Sequence, residues 1–146
     1  MRILLVEDDW TQEESIRRAV AQAFPQVTLE SISTELEFRN RIDQIAADPP
    51  NLAIFDIMIR WTDPSPDLDD TALPPEFTRR DAGLRCHRLL SEHAPRVRTL
   101  LYSILDREDV GRDFPANVCH LRKGDRLEPL INKISRMLDL PKPAAR

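Results

Sequence analysis

The sequence predicts an α/β fold: one domain built on an open sheet of parallel strands, with helices between them. Two observations lead there. Four short apolar runs, Ile3–Val6, Leu52–Phe55, Thr99–Tyr102 and Val118–Arg122, are bounded by polar residues and separated by stretches of helical periodicity. Runs of that kind read as strands buried on both faces. Each run also ends on a residue suited to phosphate or metal chemistry: Glu7-Asp8-Asp9, Asp56, Ser103 and Lys123. Ligands of open α/β sheets bind beyond the carboxyl ends of the strands. Three carboxylates, a hydroxyl and an ammonium therefore converge on one edge.

The elements follow in order. Thr11-x-x-Glu14 is a capping box for a helix whose apolar face is Ile16, Ala19, Val20, Ala23 and Phe24, and Pro25 stops it. Val27–Ile32 alternates as a second strand at the edge of the sheet. Thr34-x-x-Glu37 opens a second helix with Phe38, Ile42, Ile45 and Ala46 on one side, and Pro49-Pro50 delivers the chain into Leu52–Phe55. A third helix runs from Gly83 to about His93, and Arg107–Phe114 is a short, weakly patterned fourth. Asp125-x-x-Glu128 caps the last helix, which carries Leu127, Leu130, Ile131, Ile134, Met137 and Leu138 at helical spacing. Pro129 falls in its first turn, where a missing N–H is tolerated. Residues 1–140 form the domain, and 141–146 are a short tail.

The stretch Trp61–Arg80 departs from this regularity. It holds Pro64, Pro66, Pro74 and Pro75 among Asp63, Asp67, Asp69, Asp70 and Glu76. A connection between strand and helix normally takes roughly 2–6 residues, so this is an insertion. Asp67-Leu-Asp69-Asp70 hints at calcium but lacks the glycine and the distal glutamate of an EF-hand loop. A solvated acidic loop is the better reading.

Composition narrows the function. A net charge of −4 with no basic stripe argues against direct nucleic-acid binding. With three glycines in the chain, neither a Walker loop nor a G-x-G-x-x-G cradle can be built. The apolar start is too short for a signal peptide or a membrane span, which points to a cytoplasmic protein. Cys86 and Cys119 are isolated and read as buried, reduced thiols, and His87 and His120 do not complete a zinc spacing.

Glu7, Asp8 and Asp56 held close together would raise one another's pKa unless a cation joined them. An oxygen-only donor set with room for water suits Mg²⁺. Lys123 adds a positive charge and Ser103 a hydroxyl donor. The set favours phosphoryl transfer, with a carboxylate as covalent acceptor. Taken singly, each residue also has a plain structural reading. Asp9 suits a helix cap, Glu7 or Asp8 suits a helix N-terminus, and Asp56, Ser103 and Lys123-Gly124-Asp125 suit turns. Their joint occurrence after successive strands favours the site.

On these residues the chain resembles a response-regulator receiver domain of two-component signalling, of the stand-alone type. The resemblance rests on Ile3-Leu-Leu-Val-Glu-Asp-Asp9, Leu52-Ala-Ile-Phe-Asp56, Ser103 and Lys123, and it covers essentially the whole chain. It implies a flavodoxin-like (βα)₅ fold with strand order 2-1-3-4-5. It further implies phosphorylation of Asp56 by a histidine kinase or a histidine phosphotransfer protein. Mg²⁺ would be held by Glu7, Asp8, Asp56 and the carbonyl of Met58, with Ser103 and Lys123 on the phosphoryl oxygens. Output would be a protein contact through the fourth helix, fifth strand and last helix. Arg107, Glu108, Asp109, Arg122, Arg126 and Arg136 on that face would also allow a weak homodimer.

The chain departs from the family in several places. Asp56-Ile-Met-Ile-Arg60 lacks the proline of the usual Met-Pro, and the matching glycine is Gly83, beyond the insertion. Gly124, where the family often has proline, follows Lys123, and His120 stands at the aromatic switch position, open to a pH-dependent role. Met58 and Leu105 are apolar at positions that tune phosphoryl lifetime, with Ile104 beside Ser103, and this implies slow decay. Three other readings share the site: a phosphorelay intermediate, a pseudo-receiver that only binds, and a Mg²⁺-dependent phosphatase with Asp56 as nucleophile. The phosphatase type carries a second acid two residues on, where this chain has Met58.

Overall fold

Continuous apolar runs can bury both faces of a strand only if helices cover both sides of the sheet, and that is the arrangement found. The structure, a computed structural model, describes residues 1–63, 79–111 and 113–143. Strands β1 (Arg2–Val6), β2 (Thr28–Ile32), β3 (Leu52–Phe55), β4 (Arg98–Ser103) and β5 (Val118–Arg122) form one sheet in the order β2-β1-β3-β4-β5. All four pairings are parallel. The helices are α1 (Trp10–Ala23), α2 (Glu35–Asn40), α3 (Ile42–Ala47), α4 (Ala82–His93), α5 (Arg107–Val110) and α6 (Glu128–Met137), with a 3₁₀ turn at Arg79–Asp81.

The two-residue period of the strands divides the core. Leu4, Val6, Phe55 and Leu101 face Phe38, Ile42, Ile45, Cys86 and Leu90 from α2, α3 and α4. Ile3, Leu5, Ile54 and Leu100 face Ile16 and Val20 of α1 and Leu130, Ile131 and Ile134 of α6. In this strand order the chain reverses direction across the sheet between β1 and β3, and a crevice opens there.

Four local expectations are corrected. Asp9, not Thr11, caps α1: its carboxylate accepts from Thr11 N at 2.9 Å and Gln12 N at 3.2 Å, because the helix already begins at Trp10. The second helix is two, broken at Arg41 (φ −103°, ψ 3°), whose guanidinium pairs with Glu30 on β2 and with Glu37. The fourth helix is a single turn, ended by Gly111 at φ 111°, a conformation side chains rarely adopt. Asp125 does not cap the last helix, since the cap falls at Leu127 without a side-chain bond. Cys119 is half-buried, whereas Cys86 is buried and burial pushes its thiol up to about 12. Residues 64–78, with the Asp67–Asp70 cluster, lie outside the described residues.

Candidate functional site

Backbone pairing brings the acids together. Asp56 N donates to Val6 O at 2.9 Å, and Glu7 N donates to Ile32 O at 3.0 Å, so the ends of β2, β1 and β3 are tied side by side. Glu7, Asp8 and Asp56 then each place a carboxylate oxygen within 4.8 Å of the others. Among the described residues this is the group of His, Cys, Asp or Glu side chains placed to share a metal ion. Hard oxygen donors at one crevice fit Mg²⁺, with Glu7, Asp8 and Asp56 as the side chains that would hold it.

Lys123 reaches the same place from the end of β5. Its N–H donates to Ser103 O at 2.8 Å, which fixes the strand end. Its ammonium donates to Glu7 Oε2 at 2.6 Å and Asp56 Oδ2 at 2.9 Å, and lies 5.5 Å from the centre of the Tyr102 ring. Burial and the neighbouring Asp56 push the Glu7 carboxyl up to about 7, against the opposing pull of Lys123. Burial alone would lower Lys123, but Asp56 and Glu7 outweigh it and hold the ammonium above its ordinary value.

Ser103 is fully buried, and its Oγ accepts from Leu105 N at 3.2 Å. Met58 N donates to Asp56 Oδ1 at 3.2 Å. His120 is half-buried, with its Nε2 buried and without a hydrogen-bond partner among the described residues. Burial lowers its pKa, so the ring is neutral near pH 7. Gly83 sits where the sequence places it. A Cβ there would lie 1.9 Å from Asp56 O, and Gly83 N donates to Ile57 O at 2.8 Å. Helix α4 therefore begins against the backbone of Asp56, and only glycine allows that approach.

Two residues of the site escape sequence reasoning. Arg60 N donates to Asp8 Oδ2 at 3.0 Å, and its guanidinium donates to Asp8 O at 2.8 Å. Arg79 donates to the same Oδ2 at 2.9 Å. The missing proline was the available signal for Arg60, because a proline at 60 has no N–H to give Asp8. Nothing in the sequence around Arg79 marks it.

Solved structures share the fold that carries these residues. The chain is similar to the non-phosphorylated HemR receiver domain from Leptospira biflexa, at 19% identity and a TM-score of 0.68, covering 99% of this chain and 98% of that one. A CheY-like response regulator receiver domain protein from Methanospirillum hungatei matches at 21% identity and TM-score 0.62, over 94% and 93%. The chain has a receiver-domain fold. A receiver-fold match also comes from the complex of histidine kinase ThkA with response regulator protein TrrA, at 13% identity and TM-score 0.60, over 94% and 97%. No protein-family model and no curated protein sequence matches. The receiver fold bears out the expected flavodoxin-like sheet and its strand order.

Proposed function

We propose that the protein is a phosphoacceptor of two-component signalling and that Asp56 is the residue phosphorylated. The observation that carries this reading is the Glu7–Asp8–Asp56 carboxylate cluster at the switch point, bridged by Lys123. A carboxylate oxygen of Asp56 attacks phosphorus of a phosphohistidine. The P–N bond breaks, and its electron pair returns to the imidazole of the kinase or phosphotransfer protein. Glu7, Asp8, Asp56 and the Met58 carbonyl would hold Mg²⁺, which would supply positive charge to the phosphoryl oxygens. Lys123 gives up part of its contact with Asp56 to meet a phosphoryl oxygen, and Ser103 Oγ donates to another. The structural neighbour in complex with a histidine kinase supports a protein donor.

The phosphorylated state is read by a protein partner on the face of α5, β5 and α6, where a second copy of this chain is the weaker alternative. Among the described residues no helix is long and apolar enough to cross a membrane, which fits a cytoplasmic role. The protein acts as a switch and not as a turnover enzyme, since the acid a phosphatase would use two residues beyond Asp56 is replaced by Met58.

Incubation with acetyl phosphate and Mg²⁺, followed by intact mass, tests this. One added phosphoryl group, lost in Asp56→Asn and on metal chelation, is the expected result. No gain with any donor, a cognate kinase included, would leave a module that only binds. Repeated release of phosphate from small phosphomonoesters would make it an enzyme instead.

A further inference from the structure

The three carboxylates of the site face three cations supplied by the chain itself. Lys123 serves Glu7 and Asp56. Arg60 and Arg79 both serve Asp8, with Arg60 Nε at 3.6 Å and Arg79 at 2.9 Å from the same Oδ2. The formal charges of these six groups cancel before any metal enters. A divalent ion at Asp8 therefore meets two guanidinium groups already on its ligand, and like charges at that range repel it.

The two arginines are not equally easy to move. Arg60 is held at two points, its backbone N–H on Asp8 Oδ2 and its guanidinium on the Asp8 carbonyl, so it cannot leave without moving the main chain after β3. Arg79 contributes one charge-assisted bond from a side chain that is 66% exposed. It can withdraw into water and be solvated there. Asp8, by contrast, is nearly buried and needs a cation whenever it is ionised.

We infer that Arg79 is a stand-in cation on Asp8 that a divalent metal must displace, and that it thereby sets the affinity of the site for Mg²⁺. The inference rests on the reading that Glu7, Asp8 and Asp56 hold the metal. Removing Arg79 removes a competitor, so metal binding tightens although a polar contact has been lost. A residue that merely braced the site would act in the opposite direction.

Isothermal titration of the metal-free full chain with MgCl₂, at fixed ionic strength, tests it without reference to phosphorylation. Arg79→Gln is expected to bind Mg²⁺ about three- to tenfold more tightly than the parent chain. Arg79→Lys, which keeps the charge, stays near the parent value. Arg80→Gln, which removes the same charge one residue away, changes the affinity less than about twofold. Unchanged or weaker binding by Arg79→Gln overturns the inference, as does equal tightening by Arg80→Gln, which would make it a general field effect. Mg²⁺ binding by the parent chain checks the metal reading separately: no binding by the parent or any variant overturns both.

Discussion

At the scale of single residues, Lys123 decides the state of the site. Its ammonium is the cation between two carboxylates, and the Glu7 side chain is 1% exposed. Lys123→Met leaves that pair uncompensated, and the removal of one partner from a buried ion pair typically costs about 3 kcal/mol. The expected loss in urea unfolding is of that order at pH 8 and smaller at pH 5, where Glu7 is already protonated. A second outcome follows from the same carboxyl, pushed up to about 7 by burial and by Asp56. Mg²⁺ needs an ionised ligand, so binding at pH 6 should release up to about one proton, seen as a dependence of titration heat on buffer ionisation enthalpy. Glu7-Asp8, Asp56 and Lys123 were legible in the sequence because each group directly follows an apolar run, and a strand end has a defined position in the fold. Arg60 and Arg79 were not. Their contact with Asp8 depends on where the chain goes after β3 and where it returns, and neither local pattern nor periodicity encodes that.

At the scale of elements, the seat of α4 matters most. Gly83 lies against the Asp56 carbonyl, so Gly83→Ala must push α4 away from β3 or bend the end of β3. A loss of about 3 kcal/mol is expected from the urea midpoint, at the upper end for an overpacked site. The junction of α2 and α4 is held by charge. Glu35, fully buried, accepts from Arg85 at 2.8 and 2.7 Å and from Arg39 at 3.0 Å, while Arg39 also lies 5.7 Å from the Trp61 ring. Glu35→Ala removes the buried carboxylate that both arginines meet and should cost about 3–5 kcal/mol, whereas Arg39→Ala, on the wetter side, should cost under about 1 kcal/mol. Comparing the two variants by thermal melting checks the difference. The strands were legible almost residue for residue, because an apolar run between polar ends has few alternatives. Helix boundaries were less so. Asp9, Thr11 and Thr34 all suit caps by type, and only the backbone path chooses among them. The break at Arg41 interrupts an apolar stripe that reads unbroken along the sequence.

At the scale of the whole molecule, the site and the stability of the fold are linked. A carboxyl whose folded pKa is raised binds its proton more tightly in the native state. Its contribution is fully present below the unfolded value near 4.5 and is lost as pH rises through about 7. Metal-free protein should therefore lose up to about 3 kcal/mol between pH 5 and pH 8. Saturating Mg²⁺ should reverse the trend, because metal competes with that proton and stabilises the native chain by mass action. Urea midpoints across this range, with chelator and with Mg²⁺, show whether the slopes differ in sign. The sheet order was legible through the family resemblance and not from the strands alone, since four apolar runs and one alternating run do not state their neighbours. One feature of the site also bears on how the chain tolerates change in length. Arg60 and Arg79, which stand before and after residues 64–78 in the sequence, both hold one oxygen of Asp8, so the chain on either side of that segment is anchored on a single carboxylate. Between two anchored ends, added chain length costs little closure entropy, only about 0.6 kcal/mol for each doubling. The segment between them is a natural port for grafting: a reporter or a foreign binding module placed there would be tethered at both ends beside the Asp8 carboxylate.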